Sequence, residues 1–236
     1  MTTLVLAHRG ARRVAPENTV EAFAAAGRLG ADGVELDVHS TADGVLVVHH
    51  DADAQGVGVL AEHPVAAVRV ARPDIPTLEE ALEACAGMLV NIEVKNLPGD
   101  ADYDPDEGAA GTLVELLSGR GRRDDVLVSS FNIASADRVR ALDATMSTGF
   151  LTLVGLDPID GVDIAHAHGH AAVHPDVRSL TDGAAGATIA RAHSLGMAVN
   201  VWTVNDEAEM RRLGAAGADA LITDVPDVAR RVLGNL

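Results

Sequence analysis

The chain has 236 residues, of which 47% are hydrophobic and 2% aromatic, and its formal net charge is −17. Nucleic acids and anionic membrane surfaces attract positively charged proteins, so this charge argues against both as general partners. Cys85 is the single cysteine, which excludes an intrachain disulfide framework. The N-terminal apolar run is short and has no basic region, and no stretch reaches the roughly 20 apolar residues of a membrane span. We therefore expect a cytoplasmic protein without stable membrane insertion.

Predicted strands and helices alternate along the whole chain. Strands are expected over residues 4–8, 33–39, 45–50, 89–95, 125–130, 148–153, 171–174, 197–204 and 218–223. Helices are expected over residues 18–29, 77–86, 106–117, 134–142, 158–167, 183–195, 207–213 and 225–233, with a loop at 51–58 and a short segment at 64–70. About eight strand–helix units without a break in composition predict a parallel sheet closed into a (β/α)8 TIM barrel, a single domain over residues 1–236.

An open doubly wound sheet is the alternative fold for the same alternation. Such a sheet commonly carries a glycine-rich phosphate loop directly after its first strand. Here His8-Arg9-Gly10 stands at that position instead. The sequence therefore favours the closed barrel.

The strand over residues 33–39 has an unusual alternation. With a side-chain period of two, Glu35, Asp37 and His39 share one face, and the valine and leucine side chains between them share the other. The apolar face can pack against helices, which leaves two carboxylates in an enclosed place. Buried carboxylates are costly without a partner, and a hard cation is a suitable one. The sequence therefore predicts a metal site on this strand.

Polar residues of other strands are expected to lie close to these carboxylates. In a (β/α)8 barrel, functional groups lie at the C-terminal ends of the strands. The strand over residues 89–95 repeats the inverted alternation, with Glu93 and Lys95 on one face, while the first strand ends in His8-Arg9 and the strand over 45–50 ends in His50. Three carboxylates, two histidines and two cations should therefore meet at one mouth of the barrel, as in a metal-assisted acid–base site.

Short motifs that belong together follow one another along nearly the whole chain. They are His8-Arg9-Gly10, Pro16-Glu17-Asn18-Thr19, the strand with Glu35 and Asp37, Thr41-Ala42-Asp43-Gly44, His50-Asp51, Ile75-Pro76-Thr77-Leu78-Glu79-Glu80, Ile92-Glu93-Val94-Lys95, Ser130-Phe131-Asn132, Trp202-Thr203-Val204-Asn205 and Thr223-Asp224-Val225-Pro226. In these motifs and their order, the sequence resembles the glycerophosphodiester phosphodiesterase family.

The resemblance implies a (β/α)8 barrel that hydrolyses a glycerophosphodiester, a small-molecule substrate, to glycerol phosphate and an alcohol. It implies one divalent metal ion, Mg²⁺ or Ca²⁺ with Mn²⁺ as a further option, and it makes Glu35, Asp37 and Glu93 the ligands. Oxygen ligands suit such a hard cation. The resemblance further makes His8 and His50 the acid–base pair.

The resemblance also assigns residues to the substrate and to the rim of the site. It implies that Arg9 and Lys95 hold the phosphate and that Glu17 supports the site from the first loop. A salt bridge at the rim is the other interpretation of Lys95. For Trp202, the only tryptophan, we favour a wall of the substrate pocket over a plain core position.

The sequence departs from the family after His50-Asp51. Residues 52–58 stand where the family has a leucine and an Arg-Thr-Thr run, and the path to Ile75 is short. We expect a reduced insertion and an altered substrate rim there. Two other functions stay open: cleavage of lysophospholipids, which needs an apolar patch at this rim, and binding of phosphorylated ligands without catalysis. The complete catalytic set argues against the second.

The remaining histidines and two serines have simpler interpretations. His49 is expected to point away from His50 and to pack, and His39 is expected to be solvated or to support the site. Ser129 and Ser130 are interpreted as a strand end. Four more histidines occur close together: His166, His168, His170 and His174. Their spacing suits no single regular element, so we do not expect a second metal site there.

Overall fold

The computed structural model describes residues 2–120, 125–181 and 183–234. The strands in this part of the chain are β1 (Leu4–His8), β2 (Gly33–Ser40), β3 (Leu46–Val48), β4 (Asp53–Ala54), β5 (Gly58–Val59), β6 (Leu89–Val94), β7 (Val126–Ser130), β8 (Ser147–Thr152), β9 (Ala172–Pro175), β10 (Ala198–Val201) and β11 (Ala220–Thr223). The helices are α1 (Val20–Arg28), α2 (Val65–Ala71), α3 (Leu78–Ala84), α4 (Gly108–Arg120), α5 (Ile133–Leu142), α6 (Pro158–Ala167), α7 (Ala184–Ser194), α8 (Glu207–Ala216) and α9 (Pro226–Leu233).

Eight of these strands form a closed parallel barrel. Hydrogen-bonded neighbours run in the order β1, β2, β6, β7, β8, β9, β10 and β11, and the pairing of β1 with both β2 and β11 closes the ring. The predicted (β/α)8 TIM barrel is therefore confirmed, and the open doubly wound sheet is excluded. The predicted strand over residues 45–50 is β3, which pairs antiparallel with the end of β2 as a hairpin arm and does not belong to the ring.

The connection from β3 to α3 is short but ordered. The predicted loop at residues 51–58 contains the antiparallel ribbon of β4 and β5, and the predicted segment at 64–70 is the helix α2. A small apolar cluster fills the space beneath this connection: Val47, Ala54, Leu60, Val68 and Ile75. The helix that follows begins at the predicted capping box, in which the Thr77 hydroxyl accepts from the Glu80 N–H and the Glu80 carboxylate accepts from the Thr77 N–H.

The strand predicted over residues 197–204 was too long, because β10 ends at Val201. Beyond it the backbone N–H groups bond in two directions: that of Trp202 donates to the Pro175 carbonyl, and that of Val204 donates to the Ile222 carbonyl. In a regular strand, residues two apart direct their N–H groups to the same neighbour, so the change of partner between Trp202 and Val204 breaks the ladder. The polar end of this segment therefore lies in the loops above the barrel.

The main core lies between the barrel and its helices. Val34, Leu36 and Val38 are fully buried on the outer face of β2, in one cluster with Phe23 of α1 and Leu82 of α3. Their carboxylate neighbours on β2 consequently point into the barrel, as the inverted alternation predicted. None of the helices in the described residues has both the length and the apolar character needed to cross a bilayer.

Candidate active site

Three carboxylates converge inside the barrel at the C-terminal ends of β2 and β6. Asp37 and Glu93 are direct neighbours in the parallel register of these strands, and Glu35 lies on the same face of β2. One carboxylate oxygen from each lies within 4.8 Å of those of the other two, and all three residues are buried. We call Glu35, Asp37 and Glu93 the acidic cluster.

Two cationic side chains and one amide contact the acidic cluster. Lys95 Nζ lies 2.9 Å from Asp37 Oδ1 and 2.5 Å from Glu93 Oε1. Arg9 Nε lies 3.4 Å from Asp37 Oδ2, and the same oxygen accepts a 2.8 Å hydrogen bond from Asn18 Nδ2. Lys95 was predicted to bind phosphate or to form a salt bridge at the rim. In this structure it forms salt bridges with two buried carboxylates.

The charges of the acidic cluster are only partly compensated. Burial raises the pKa of Glu35 well above its ordinary value, and the charges of Asp37 and Glu93 raise it further. Burial, reinforced by Asp37, also raises the pKa of Glu93, to about 7. Burial opposes ionisation of Asp37 too, but Lys95 and Arg9 outweigh it and lower its pKa to about 2. Within the described residues Glu35 Oε1 is buried without a hydrogen-bond partner.

The turn after β1 reaches the cluster through its backbone. Arg9 has a φ of 55°, and its N–H donates a 3.0 Å hydrogen bond to Glu35 Oε2. Gly10 follows at φ 77°, and a Cβ at this position would lie 2.8 Å from Ala22 of α1. Only glycine fits this close approach, because the contact with Ala22 leaves no room for a side chain, and glycine adopts the left-handed backbone without strain. Asn18 also has a left-handed backbone, with a φ of 56°, at the point where its side chain contacts Asp37.

His8 lies beside the acidic cluster and is fixed by a carboxylate that the sequence analysis did not assign. Its Nδ1 lies 2.7 Å from Asp224 Oδ1, and its Nε2 lies 4.0 Å from Glu35 Oε2. Burial disfavours ionisation of Asp224, but the hydrogen bond and charge of His8 prevail and lower its pKa to about 2. Because ionised Asp224 can only accept, Nδ1 carries the proton and Nε2 is left for proton transfer.

His50 also reaches the site, from the loop after β3. It is close enough to Asp37 for its charge to help lower the pKa of that carboxyl. Its own pKa is lowered by burial and by the charge of Lys95. Nδ1 of His50 lies 2.6 Å from Asp51 Oδ1, whereas His49 contacts the Asp51 carbonyl oxygen at 2.9 Å. Of the two histidines, His50 is the one whose charge contributes to the lowered pKa of Asp37, and its catalytic role stays a prediction.

His39 supports the loop that carries His50. Its ring is buried, so the solvated alternative is wrong. Nε2 lies 3.1 Å from the backbone carbonyl oxygen of His50, and Nδ1 lies 2.5 Å from Asp102 Oδ2. Because a carbonyl oxygen only accepts, Nε2 of His39 is the donor in that contact. The imidazole thereby ties β2 to the His50 backbone.

The structure places Glu17 at the rim, where it pairs with arginines. Arg9 Nη1 lies 2.8 Å from Glu17 Oε1, and Arg12 Nη2 lies 2.5 Å from Glu17 Oε2. Arg12 Nη1 also lies 3.6 Å from Asp224 Oδ1. Glu17 thus orients the guanidinium groups beside the acidic cluster without joining it.

Trp202 forms one side of the mouth together with an aromatic partner. Its ring meets Phe131 edge to face at a centroid distance of 5.3 Å, and Nζ of Lys95 lies 5.9 Å from the Phe131 ring centroid. The indole N–H donates to the carbonyl oxygen of His174 at 2.8 Å. Phe131 thus lies between Trp202 and Lys95, and the role of Trp202 as a wall of the substrate pocket stays a prediction.

The four clustered histidines separate in the fold. His166 is exposed on α6, and His174 is buried in β9, where its Nε2 lies 3.1 Å from Asn200 Nδ2. His168, at the end of α6, and His170, in the loop before β9, lie close together. Ser130 is the last residue of β7, in agreement with its interpretation as a strand end, and its hydroxyl donates to a backbone carbonyl.

Three contributors to the site escaped the sequence analysis. Asp224 follows directly after β11, so the rule that selected the other strand-end residues could have found it. Asn18 was part of a motif but received no role. Asp102 lies in a loop between β6 and α4, and no pattern marks it.

Comparison with known proteins places this geometry in a family. The sequence model of the Glycerophosphoryl diester phosphodiesterase family matches residues 8–228. A glycerophosphodiester phosphodiesterase of Caldanaerobacter subterraneus subsp. tengcongensis is 32% identical, with 96% of each chain covered. The crystal structure of a glycerophosphodiester phosphodiesterase from Parabacteroides distasonis superposes with a TM-score of 0.85 at 26% identity, covering 99% of this chain and 98% of that one.

A further solved structure carries a ligand. A phosphodiesterase of Oleispira antarctica, in complex with the product sn-glycerol-3-phosphate, superposes with a TM-score of 0.84 at 26% identity, covering 99% of this chain and 97% of that one. The family match and the first relative each span nearly the whole chain, and they confirm the resemblance drawn from the motifs. The chain belongs to the glycerophosphoryl diester phosphodiesterase family.

Proposed function

We propose that the protein hydrolyses soluble glycerophosphodiesters to glycerol 3-phosphate and an alcohol in one catalytic domain, with one divalent cation and the pair His8 and His50. The observation that carries the proposal is the acidic cluster, whose three buried carboxylates lie between these histidines. The cytoplasmic location stays a prediction from the sequence.

The acidic cluster fits a hard divalent cation. Its donors are carboxylate oxygens, which Mg²⁺, Ca²⁺ and Mn²⁺ accept and which soft metals disfavour. Two cationic side chains oppose three carboxylates, and Glu35 Oε1 has no partner among the described residues. A cation held by Glu35, Asp37 and Glu93 would neutralise charge on the phosphate oxygens of the substrate.

The two histidines divide the proton transfers between them. Burial and the charge of Lys95 favour neutral His50, which suits it to accept a proton from the attacking hydroxyl or water. His8, which for this step carries protons on both ring nitrogens, gives its Nε2 proton to the leaving alkoxide while Asp224 holds its Nδ1–H. His39 supports the arrangement by fixing the backbone of His50.

Arg9 and Lys95 suit the substrate phosphate. Both lie at the edge of the acidic cluster and carry the charge that a phosphodiester needs. In this structure their charges are directed at carboxylates, and Glu17 keeps the Arg9 guanidinium in place. Trp202 bounds the same space and is a candidate contact for the glycerol or alcohol part.

The test is release of glycerol phosphate from glycerophosphocholine by metal-stripped protein, with Mg²⁺, Ca²⁺ or Mn²⁺ added back. The proposal predicts release that depends on added cation. Cation-dependent cleavage of a lysophospholipid without cleavage of glycerophosphocholine would replace it with the lipid alternative. Binding of glycerol 3-phosphate without turnover of either substrate would replace it with a binding barrel.

A further inference from the structure

A second group of potential metal ligands lies away from the acidic cluster. Asp137 of α5, His168 at the end of α6 and His170 in the loop before β9 each offer one ligand atom, and these atoms lie within 4.8 Å of one another. His168 Nδ1 lies 2.7 Å from Asp137 Oδ2, and His170 Nε2 lies 3.5 Å from Asp137 Oδ1. We call these three residues the histidine cluster.

His170 points a buried nitrogen into this cluster. Its side chain is fully buried, and within the described residues Nε2 makes no hydrogen bond, with Asp137 too far away at 3.5 Å. Nδ1 lies 2.9 Å from the Thr148 hydroxyl oxygen. A proton on Nδ1 donated to that oxygen leaves the lone pair of Nε2 directed into the cluster, which is how the second nitrogen of a metal-bound histidine is commonly held.

The position of the histidine cluster separates it from the site described above. His168 and His170 precede β9, at the N-terminal end of a barrel strand, whereas the acidic cluster lies at the C-terminal strand ends. Asp137 and His168 are both about 40% exposed, so an ion can enter from solvent. His170 closes the cluster from the protein side.

We infer that Asp137, His168 and His170 form a binding site for a divalent transition metal such as Zn²⁺. Two imidazoles and one carboxylate are donors of the type found in zinc sites. The ion would join α5 to the α6–β9 loop and so stabilise the fold without taking part in catalysis.

Arg140 limits how tightly this site can bind. A Cβ on Gly169, between the two histidines, would lie 2.8 Å from Arg140 Nη2, so the guanidinium is close to the cluster. An Arg140→Gln variant should therefore bind the ion about threefold more tightly, because one nearby positive charge is removed.

The experiment titrates the metal-stripped full-length protein with Co²⁺ and Zn²⁺. We expect one more bound equivalent in the wild type than in His168→Asn, and a visible Co²⁺ absorption that reports imidazole ligation and low coordination number. Zn²⁺ at a hundredfold excess over its Kd should raise the Tm of the wild type by about 5 °C. Asp137→Asn should lose both the extra bound equivalent and the Tm rise. Because the Asp137 side chain is about 40% exposed, this substitution should leave the fold intact.

His193→Asn is the matched control. His193 Nε2 lies 2.9 Å from Asp219 Oδ2, so it is another histidine–aspartate pair on the surface, but it is not part of a cluster of three among the described residues. The inference requires this variant to keep the extra equivalent and the Tm rise. Equal stoichiometry and equal Tm rise in wild type and His168→Asn would overturn it, whatever the activity of the enzyme.

Discussion

The acidic cluster and the histidine cluster are built by different parts of the same barrel. The acidic cluster takes its ligands from adjacent strands, where Asp37 lies opposite Glu93 in a continuous hydrogen-bonded register. The histidine cluster takes Asp137 from a helix and both histidines from a helix end and a loop. The acidic cluster is enclosed by the barrel, whereas two of the three side chains of the histidine cluster are partly exposed to solvent.

This difference explains what each cluster can do. Burial and mutual repulsion raise the pKa of Glu35 and Glu93, so ionisation of these carboxyls is unfavourable until a cation compensates their charge. The histidine cluster contains one carboxylate, which already contacts His168. We therefore expect loss of a ligand to change activity in the first cluster and stability alone in the second.

The largest effect should come from Glu35→Gln. Removing one donor from the acidic cluster should lower cation-dependent turnover by about 10³-fold. It should also raise the unfolding free energy of the metal-free protein by about 1 kcal/mol, because the buried carboxyl must either carry an uncompensated charge or stay protonated above its ordinary pKa, and glutamine avoids both costs. Activity assays and urea unfolding measure the two changes.

Glu107→Gln is the control for that variant. Glu107 is a buried carboxylate outside the acidic cluster, and its oxygens accept from Asn132 Nδ2 and from the Ser135 hydroxyl. Turnover should stay within a few-fold of the wild type. Comparable losses of activity in Glu35→Gln and Glu107→Gln would show that any buried carboxylate matters equally, and would remove the special role of the acidic cluster.

The next effect concerns the histidines on either side of the acidic cluster. His8→Asn and His50→Asn should each lower kcat by about 10²–10³-fold, because each removes one proton-transfer group. The kcat of His49→Asn should remain close to that of the wild type. Among the described residues, this ring contacts the Asp51 carbonyl oxygen of its own loop and not the acidic cluster. Near-normal kcat in either of the first two variants would refute the role assigned to that residue.

The strand-based features of the site were predictable from the sequence. The inverted alternation of β2 and β6 places Glu35, Asp37 and Glu93 inside the barrel once those strands are parallel neighbours. The motif after β1 supplied His8 and Arg9. The same reasoning made the predicted β10 too long. It placed Trp202 in the strand, although the Trp202 backbone pairs with Asp176 in an isolated bridge.

The contacts between loops and helices were not predictable in that way. Asp102 meets His39 across 63 positions of sequence, and Asp137 meets His168 across 31. Neither carboxylate lies in a periodic pattern or at a strand end. Such pairs depend on how connecting segments pack in three dimensions, so spacing alone could not show that Asp137 meets the histidines before β9.

A smaller effect should distinguish the part-buried carboxylate partner of His8 from the exposed carboxylate partner of His50. Asp224→Asn should lower kcat by about 10²-fold, because the ring of His8 loses its orienting acceptor. Asp51→Asn should cost less than about fivefold, because Asp51 is 67% exposed and water can replace its contact with His50. The pH profile of kcat should shift in Asp224→Asn, a change that misfolding alone would not produce. Equal losses in both variants would contradict this ranking.

The smallest effect is a pH dependence of stability that comes from a histidine outside both clusters. Burial lowers the pKa of His174 to about 3, so in the unfolded chain it takes up a proton near pH 6.5 and in the folded protein it does not. The folded state thus binds fewer protons in this window, and its stability falls as the pH falls. In urea unfolding of metal-stripped protein, His174→Asn should reduce the loss between pH 7 and pH 5 by about 2 kcal/mol. His166→Asn, exposed on α6, should leave that loss unchanged, and an unchanged loss in His174→Asn would show that His174 is not the group responsible.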